Sequence, residues 1–387
     1  MNKKELELYI HIPFCVRKCS YCDFLSVPAT EQTREAYMAA LFAEIGGRAK
    51  DYSDRTVTSI FIGGGTPSLL SGEQIGQLMD RIREQFAMAQ DAEITMEVNP
   101  GTASAEKLRN FYTAGINRLS IGMQSAQAEE LKNLGRIHDF EGFCQVYREA
   151  VEAGFTNINV DIMSGLPGQT LASYRDTLEK VLHLEPMPQH ISAYSLIVEE
   201  GTPFAAMAER GELPLPEEET ERAMYEETIE VLAKYGFHRY EISNYARDGY
   251  ECRHNVGYWI RRDYLGFGIG AASLIDNVRF QNEKSLGAYL AHPLESREEE
   301  QTLTVQDRME ETMFLGLRLT RGVSCMDFAE QYGRTVEEVY GEVIARNVAD
   351  GLLTVTERKE NQKKDRFLAL TKRGLDLSNY VMAQFLF

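Results

Sequence analysis

The 387-residue sequence contains no apolar run long enough to cross a bilayer. Its opening, Met1-Asn2-Lys3-Lys4-Glu5, has no apolar signal stretch before an alternating strand pattern begins. These two absences make the cytoplasm the expected location, with no stable membrane anchor. Positive charge is also scarce: 41 lysines and arginines stand against 59 aspartates and glutamates, a net charge of −18. Such an excess of acid argues against nucleic acid or an anionic membrane face as a general partner. Cysteine is sparse at six, and Cys144, Cys252 and Cys325 are scattered, so no disulfide framework is expected. The rest of the composition, 43% hydrophobic and 26% charged, fits a globular protein of one large or two ordinary domains.

The other three cysteines are concentrated. The stretch Tyr9-Ile10-His11-Ile12-Pro13-Phe14-Cys15-Val16-Arg17-Lys18-Cys19-Ser20-Tyr21-Cys22-Asp23-Phe24 is a short apolar strand, a proline, and a loop with Cys-x3-Cys-x2-Cys spacing. One loop of this kind wraps its thiolates around a small metal centre. Three thiolates on a [4Fe–4S] cluster leave one iron open to bind and activate a ligand. A structural zinc site on Cys15, Cys19, Cys22 and His11 is the alternative.

Strand-like and amphipathic helical runs then alternate to about residue 200. The strand patterns are Leu8–Ile12, Val57–Ile62, Ile94–Val98, Arg118–Ile121, Ile158–Ile162 and His190–Ser195. Helix patterns fall near Thr33–Arg48, Glu73–Phe86, Ala105–Ala114, Phe140–Ala153 and Leu171–Leu184. Repeated β-then-α order predicts an α/β fold with a parallel sheet. Six units fit an open doubly wound sheet or a partial barrel, and periodicity does not choose. Either fold gathers ligand groups at the carboxyl ends of its strands, and unusual residues recur there. Gly63-Gly64-Gly65-Thr66-Pro67 follows the second strand, a backbone that a ligand approaches closely. Glu97 ends the third strand, Gln124 the fourth, with Arg136 shortly after; Asp161 lies on the fifth and Ser195 ends the sixth. Taken singly, each reads equally as a satisfied buried group or a helix cap.

Cys-x3-Cys-x-Tyr-Cys after a first strand resembles the radical S-adenosylmethionine (SAM) superfamily. Tyr9 to Phe24 is similar, more closely, to the oxygen-independent coproporphyrinogen III oxidase-like family, a likeness covering residues 7 to 275. The resemblance implies a partial (β/α)6 barrel, with Cys15, Cys19 and Cys22 on a [4Fe–4S] cluster and SAM chelating the fourth iron. It also implies Gly64, Gly65 and Thr66 at the SAM amino group, Gln124 and Arg136 at its polar end, and Glu97 and Asp161 at its hydroxyls. Tyr9 and Tyr21 would line the adenosyl pocket, with Ser195 among the cofactor-binding residues. An electron donor is implied as a partner.

Residues 239–259 contain Cys252-Arg253-His254-Asn255-Val256-Gly257-Tyr258-Trp259, with the only tryptophan of the chain five residues after His254. An imidazole beside an asparagine and two large aromatics suits haem iron and a porphyrin edge, and equally suits a core histidine in an aromatic loop. The run His254-Asn255-x-x-Tyr258-Trp259 resembles the haem-chaperone (HemW-like) branch of the family. That likeness makes His254 the candidate axial ligand and haem-requiring acceptor proteins the partners. Phe24, where the dehydrogenase branch has a further cysteine, and the short segment before Tyr9 point the same way. The alternative is oxidative decarboxylation of coproporphyrinogen III propionates by a SAM-derived radical; a radical SAM enzyme with an unrelated substrate is a third possibility.

Gly266-Phe267-Gly268-Ile269-Gly270 lacks the strand–turn–helix context of a dinucleotide loop and is expected to be close backbone packing. Beyond an acidic bridge at Pro293–Glu300, helices near Val305–Leu317, Cys325–Tyr332 and Val336–Asp350 precede a hairpin, Leu352–Glu357 and Phe367–Thr371. This resembles the family's winged-helix-like C-terminal α+β domain. Lys359, Lys363, Lys364 and Arg366 sit on the wing, but the acidic preceding helix is poor company for phosphate. The expected division is a radical SAM partial barrel over residues 1–235, a barrel-extending segment with the His-Asn motif over 236–292, and the C-terminal domain over 301–387.

Overall fold

Six apolar runs become the centre of one sheet. The computed structural model describes residues 4–295, 297–360 and 363–387, with the side chains of Glu360 and Lys363 outside the description. Strands β1 (Lys4–Ile12), β2 (Arg55–Gly64), β3 (Ala87–Val98), β4 (Arg118–Gln124), β5 (Ile158–Ser164) and β6 (His190–Ser195) pair in parallel, each with the next in the chain. Parallel neighbours require crossovers. Helices Glu31–Arg48, Gly72–Gln85, Ala105–Thr113, Phe140–Ala153 and Leu171–Leu182 supply them, each end within two residues of the sequence pattern.

Strand order decides the winding. A doubly wound sheet reverses its order at a switch point to carry helices on both faces. Here β1 to β6 run without reversal, so right-handed crossovers lay their helices on one face, as in a barrel. The result is an open six-unit arc whose two margins are extended by further strands. Short strands β7 (His238–Arg239) and β8 (Asn244–Ala246) continue antiparallel beyond β6. Strand β9 (Tyr264–Phe267) lies parallel to β1, followed outward by antiparallel β10 (Ala272–Ile275), β11 (Val278–Asn282) and β12 (Arg297–Thr302). The glycine run from the end of β9 towards β10 is close packing, as expected. A side chain at Gly266 would strike the Ala272 carbonyl, and one at Gly268, where φ is +93°, would strike the Tyr37 hydroxyl.

The acidic bridge is not all linker. From Arg297 onward it is the edge strand β12, exposed along its whole length. An edge strand with both faces in solvent carries no apolar alternation, so its sequence reads as loop; Ser296 lies outside the described residues.

The C-terminal part has its own apolar core, built from Met313, Leu317, Phe328, Tyr340, Leu368 and Phe385 among others. Helices Val305–Gly316, Cys325–Tyr332 and Val336–Ala349 pack on a sheet of β13 (Val323–Ser324), β14 (Leu353–Glu360) and β15 (Lys363–Leu370) in the order β13-β15-β14. The winged-helix expectation holds. Of the wing cations, Lys359 and Lys364 are exposed and Arg366 is paired with Glu337 at 3.0 Å, while the side chain of Lys363 lies outside the described residues.

A buried ion cluster fastens this module to the sheet extension. Glu311, 5% exposed, accepts from Arg261 Nε and Arg279 Nη1, each at 2.8 Å. Removing the shared carboxylate strands two cations, one of them almost fully buried. Glu311→Ala is therefore expected to destabilise the protein by about 3–5 kcal/mol, read as a lower thermal-unfolding midpoint. Breaking the exposed Glu337–Arg366 pair by Glu337→Ala should cost about 1 kcal/mol or less.

Candidate cofactor site and aromatic cavity

The cysteine loop leaves β1 at Pro13 and is closed at its base by backbone bonds from Cys15 N to Val27 O (3.2 Å) and from Val27 N to Pro13 O (2.8 Å). Its far side is tied down by Ser20 N to Leu134 O and Phe204 N to Ser20 O, both 3.0 Å. All three thiols are free and half-buried, and they line one cavity of about 140 Å³. Thr66 Oγ1 donates to Cys15 Sγ at 3.4 Å and Arg136 Nη1 to Cys19 Sγ at 3.7 Å. Burial, with Cys19 and Cys15 nearby, pushes the Cys22 thiol above its ordinary pKa. Three thiols, donors aimed at sulfur, and a buried Arg136 Nε without a described partner fit an anionic thiolate-held cluster. They do not fit the zinc alternative. Both ring nitrogens of His11 are engaged, Nε2 with Leu25 O at 2.8 Å and Nδ1 with the Tyr9 hydroxyl at 3.0 Å.

The strand-end residues converge on the same place. Gly64, at φ +111°, donates its N–H to Glu97 Oε2 at 3.0 Å, and a side chain on it would collide with the His11 ring. Gly65 is held by its N–H to Ile12 O at 2.8 Å. Gly64, Gly65, Thr66, Glu97, Gln124, Arg136, Asp161 and Tyr21 all border the cysteine cavity. Gln124 turns there through a left-handed φ of +67°, where the β4–β5 register slips. Arg136 is steadied by Nη2 on Gly122 O at 2.8 Å. Ser195 lies on an adjoining cavity of about 300 Å³ that shares Tyr21, Glu97, Gln124 and Asp161.

Asp161 is held by a ladder of polar groups on the inner sheet face. Its carboxylate accepts from Asn159 Nδ2 at 2.7 Å and Ser120 Oγ at 3.1 Å. Asn159 Oδ1 is in turn 2.6 Å from His190 Nδ1, whose Nε2 meets the Tyr240 hydroxyl at 2.9 Å. Residues 159 and 161 share a face because strand side chains alternate. Arg118, 2% exposed, also borders the larger cavity, with its Nε unpartnered among the described residues. Sequence reading passed over Arg118: it opens the fourth strand pattern, where a charged residue reads as the strand's solvated end.

Two expected residues lie elsewhere. Tyr9 does not border the cysteine cavity; it faces a third cavity, of about 590 Å³, together with Tyr258, Trp259 and Tyr264. His254 borders none of the three. It is 1% exposed on the seven-residue helix Arg253–Trp259, with Nδ1 2.9 Å from Ser59 Oγ and Nε2 2.9 Å from the Tyr258 hydroxyl. Burial, then the Arg118 and Arg262 charges, lowers its pKa to about 3, so the ring is neutral. The helix separates two spaces: Asn255 borders the cavity of about 300 Å³, while Tyr258 and Trp259 wall the largest one. Phe24 and Glu97 border all three.

Burial first, and the Asp161 carboxylate second, push the Glu97 pKa from 4.5 up to about 8. The folded state therefore holds a proton on Glu97 that the unfolded state loses near pH 4.5. Stability falls as pH rises between these values, by at most about 5 kcal/mol and less with solvent at the cavity mouth. Glu97→Gln keeps an acceptor for Gly64 and has no such proton. The ligand-free variant should melt above wild type at pH 9, with the gap closing below pH 4.5; a pH-independent gap would exclude this origin.

The model of the radical SAM superfamily matches residues 9–181, and that of the HemN C-terminal domain matches residues 303–377. A protein of Bacillus subtilis named heme chaperone HemW is 38% identical over 385 residues, 98% of each chain. One of the same name from Lactococcus lactis is 36% identical over 387 residues, covering 100% of this chain and 98% of its own. The structure of Escherichia coli coproporphyrinogen III oxidase, HemN, described as a radical SAM enzyme, superposes with a TM-score of 0.84. Its identity is 28%, over 100% of this chain and 91% of that one. Identity sustained along nearly the whole of both chains, on a fold with three cysteines at one cavity and the His-Asn motif beside it, settles the assignment: the chain belongs to the HemW family of the radical SAM superfamily.

Proposed function

We propose that this protein binds haem beside a SAM-ligated [4Fe–4S] cluster and passes the haem to haem-requiring acceptor proteins. One observation carries the reading: the motif helix turns Tyr258 and Trp259 onto a cavity of about 590 Å³ that borders the cysteine cavity at Gly64, Phe24 and Glu97. Aromatic and aliphatic walls with few polar groups suit a porphyrin. Arg279, on the same cavity, offers a planar cation to a propionate. Relatives along the full chain bear the name heme chaperone. Leu315 brings the C-terminal module (301–387) to the cavity wall, where that module serves as a lid against segment 236–292.

In this reading Cys15, Cys19 and Cys22 hold the cluster and leave one iron for SAM. Gly64, Gly65 and Thr66 receive the amino group, while Arg136 and Gln124 receive the carboxylate end. Glu97 and Asp161 accept from the ribose hydroxyls, and Tyr21 and Ser195 flank the adenosyl part. When bound and reduced by a separate electron donor, the cluster supplies one-electron cleavage of the SAM sulfonium. Among the described residues no helix is long and apolar enough to cross a membrane, so delivery to a membrane-bound acceptor would be by transient contact.

Anaerobic haem titration of the reconstituted protein, followed by absorbance, should saturate at one haem per chain, with no vinyl product from coproporphyrinogen III. Product formation without saturable haem uptake would replace the chaperone reading with the dehydrogenase one. Asp161→Ala should weaken SAM binding about tenfold or more while the cluster keeps about four irons. Unchanged SAM affinity would remove Asp161 from the site.

A further inference from the structure

Two adjacent strands end in the same device. Thr66-Pro67-Ser68-Leu69 follows β2 and Asn99-Pro100-Gly101-Thr102 follows β3, each a single tight helical turn entered through its proline. Thr66 and Asn99, the residues before the prolines, both border the cysteine cavity. The turns are also joined to each other. Ser68, fully buried, accepts at its hydroxyl from the Asn99 N–H at 3.0 Å and lies 2.6 Å from the Thr102 hydroxyl. Leu69 N donates back to Thr66 O at 3.0 Å, so a shift of the first turn carries Thr66 with it.

One side chain ties both turns from behind. Lys107 Nζ donates to Ser68 O at 2.8 Å, Thr102 O at 3.1 Å and Leu69 O at 3.4 Å. An ammonium has three protons and no acceptor, so these bonds engage all three. Carbonyls at the end of a helical turn lack partners within it and carry partial negative charge, which a cation complements. Lys107 itself stands in the first turn of the helix Ala105–Thr113, its N–H on the Ser104 cap at 3.3 Å. That is the helix end at which the dipole disfavours a cation. A lysine set against its own helix and bonded to two loops is placed for the loops.

Resting on the reading of Cys15, Cys19 and Cys22 as cluster ligands, we propose that Lys107 is a positioning residue for the cluster. It fixes the two turns so that Thr66 Oγ1 stays on Cys15 Sγ, a contact of 3.4 Å. Hydrogen bonds to the sulfurs help to set the reduction potential of such a cluster, because a donor stabilises the negative charge that reduction adds. Lys107 thereby tunes a centre whose cavity it does not itself border.

The test is an anaerobic redox titration of the reconstituted, SAM-free, full-length protein, with the reduced cluster followed by electron paramagnetic resonance. Lys107→Met should take up about four irons per chain and shift the midpoint potential to a more negative value. Thr66→Val, which removes the hydroxyl and keeps the side-chain shape, should shift it the same way. The variant carrying both changes should shift no further than Thr66→Val alone, since the lysine acts through the threonine. A general loss of stability would lower the unfolding midpoint without producing that pattern. A wild-type potential in Lys107→Met would overturn the proposal. So would shifts that simply add, the signature of the ammonium charge acting through space. If Lys107→Met fails to fold, Lys107→Gln, which retains a neutral donor, takes its place in the same cycle. Wild type that takes up no cluster would bring down the cluster reading itself, an outcome distinct from a cluster at unaltered potential.

Discussion

The register between β1 and β2 is the constraint on which the rest of the structure depends. Leu6, Leu8, Ile10 and Ile12 of β1 are fully buried in the main core, and the alternate residues Glu7, Tyr9 and His11 face the other way. That second face serves every part of the site: Glu7 stands behind His254, Tyr9 and His11 wall the aromatic cavity, and the strand runs on into the cysteine loop. Pairing Ile12 with Gly64 sets the loop against the glycine ledge. A slip of one residue would send four aliphatic side chains into the polar interior and three polar ones into the core. The cofactor geometry and the hydrophobic core are thus secured by the same hydrogen bonds.

Polar groups inside the arc are placed with corresponding care. Asp161 and Glu97 are carboxyl groups in a site that penalises charge, and burial pushes both pKa values up. Each is given fixed donors: Ser120 and Asn159 for one, the Gly64 amide for the other. Such preset donors leave the remaining lone pairs aimed at the cavity. They also explain why His190, Asn159 and Tyr240 are buried polar residues that touch no ligand space themselves, Asn159 apart.

Much of this was legible in the sequence. The six long strands carry buried apolar residues in short runs or, in β1, at every second position, and the crossover helices carry clear start signals such as the Ser71–Gln74 capping box. The cysteine spacing and the triple glycine are local in the chain, so they were visible without a fold. What was not legible depended on packing between distant segments. Strands β7 to β10 are two to four residues long, too short for an alternation to register. Tyr9 and Tyr21 look equivalent on either side of the loop, yet strand direction sends one to the aromatic cavity and the other to the cysteine cavity. His254 and Tyr258 occupy one face of one helix. Only the position of β2, with Glu7 of β1, beneath that helix decides which of them is buried.

Phe24, 60% exposed, and Glu97 belong to all three cavities. Two molecules seated in these cavities would therefore not be independent guests. Whatever factor one imposes on the other's dissociation constant, the second must return to the first. The shared wall at Phe24 and Glu97 is where any such exchange would pass, and its size would be the same whichever guest arrived first.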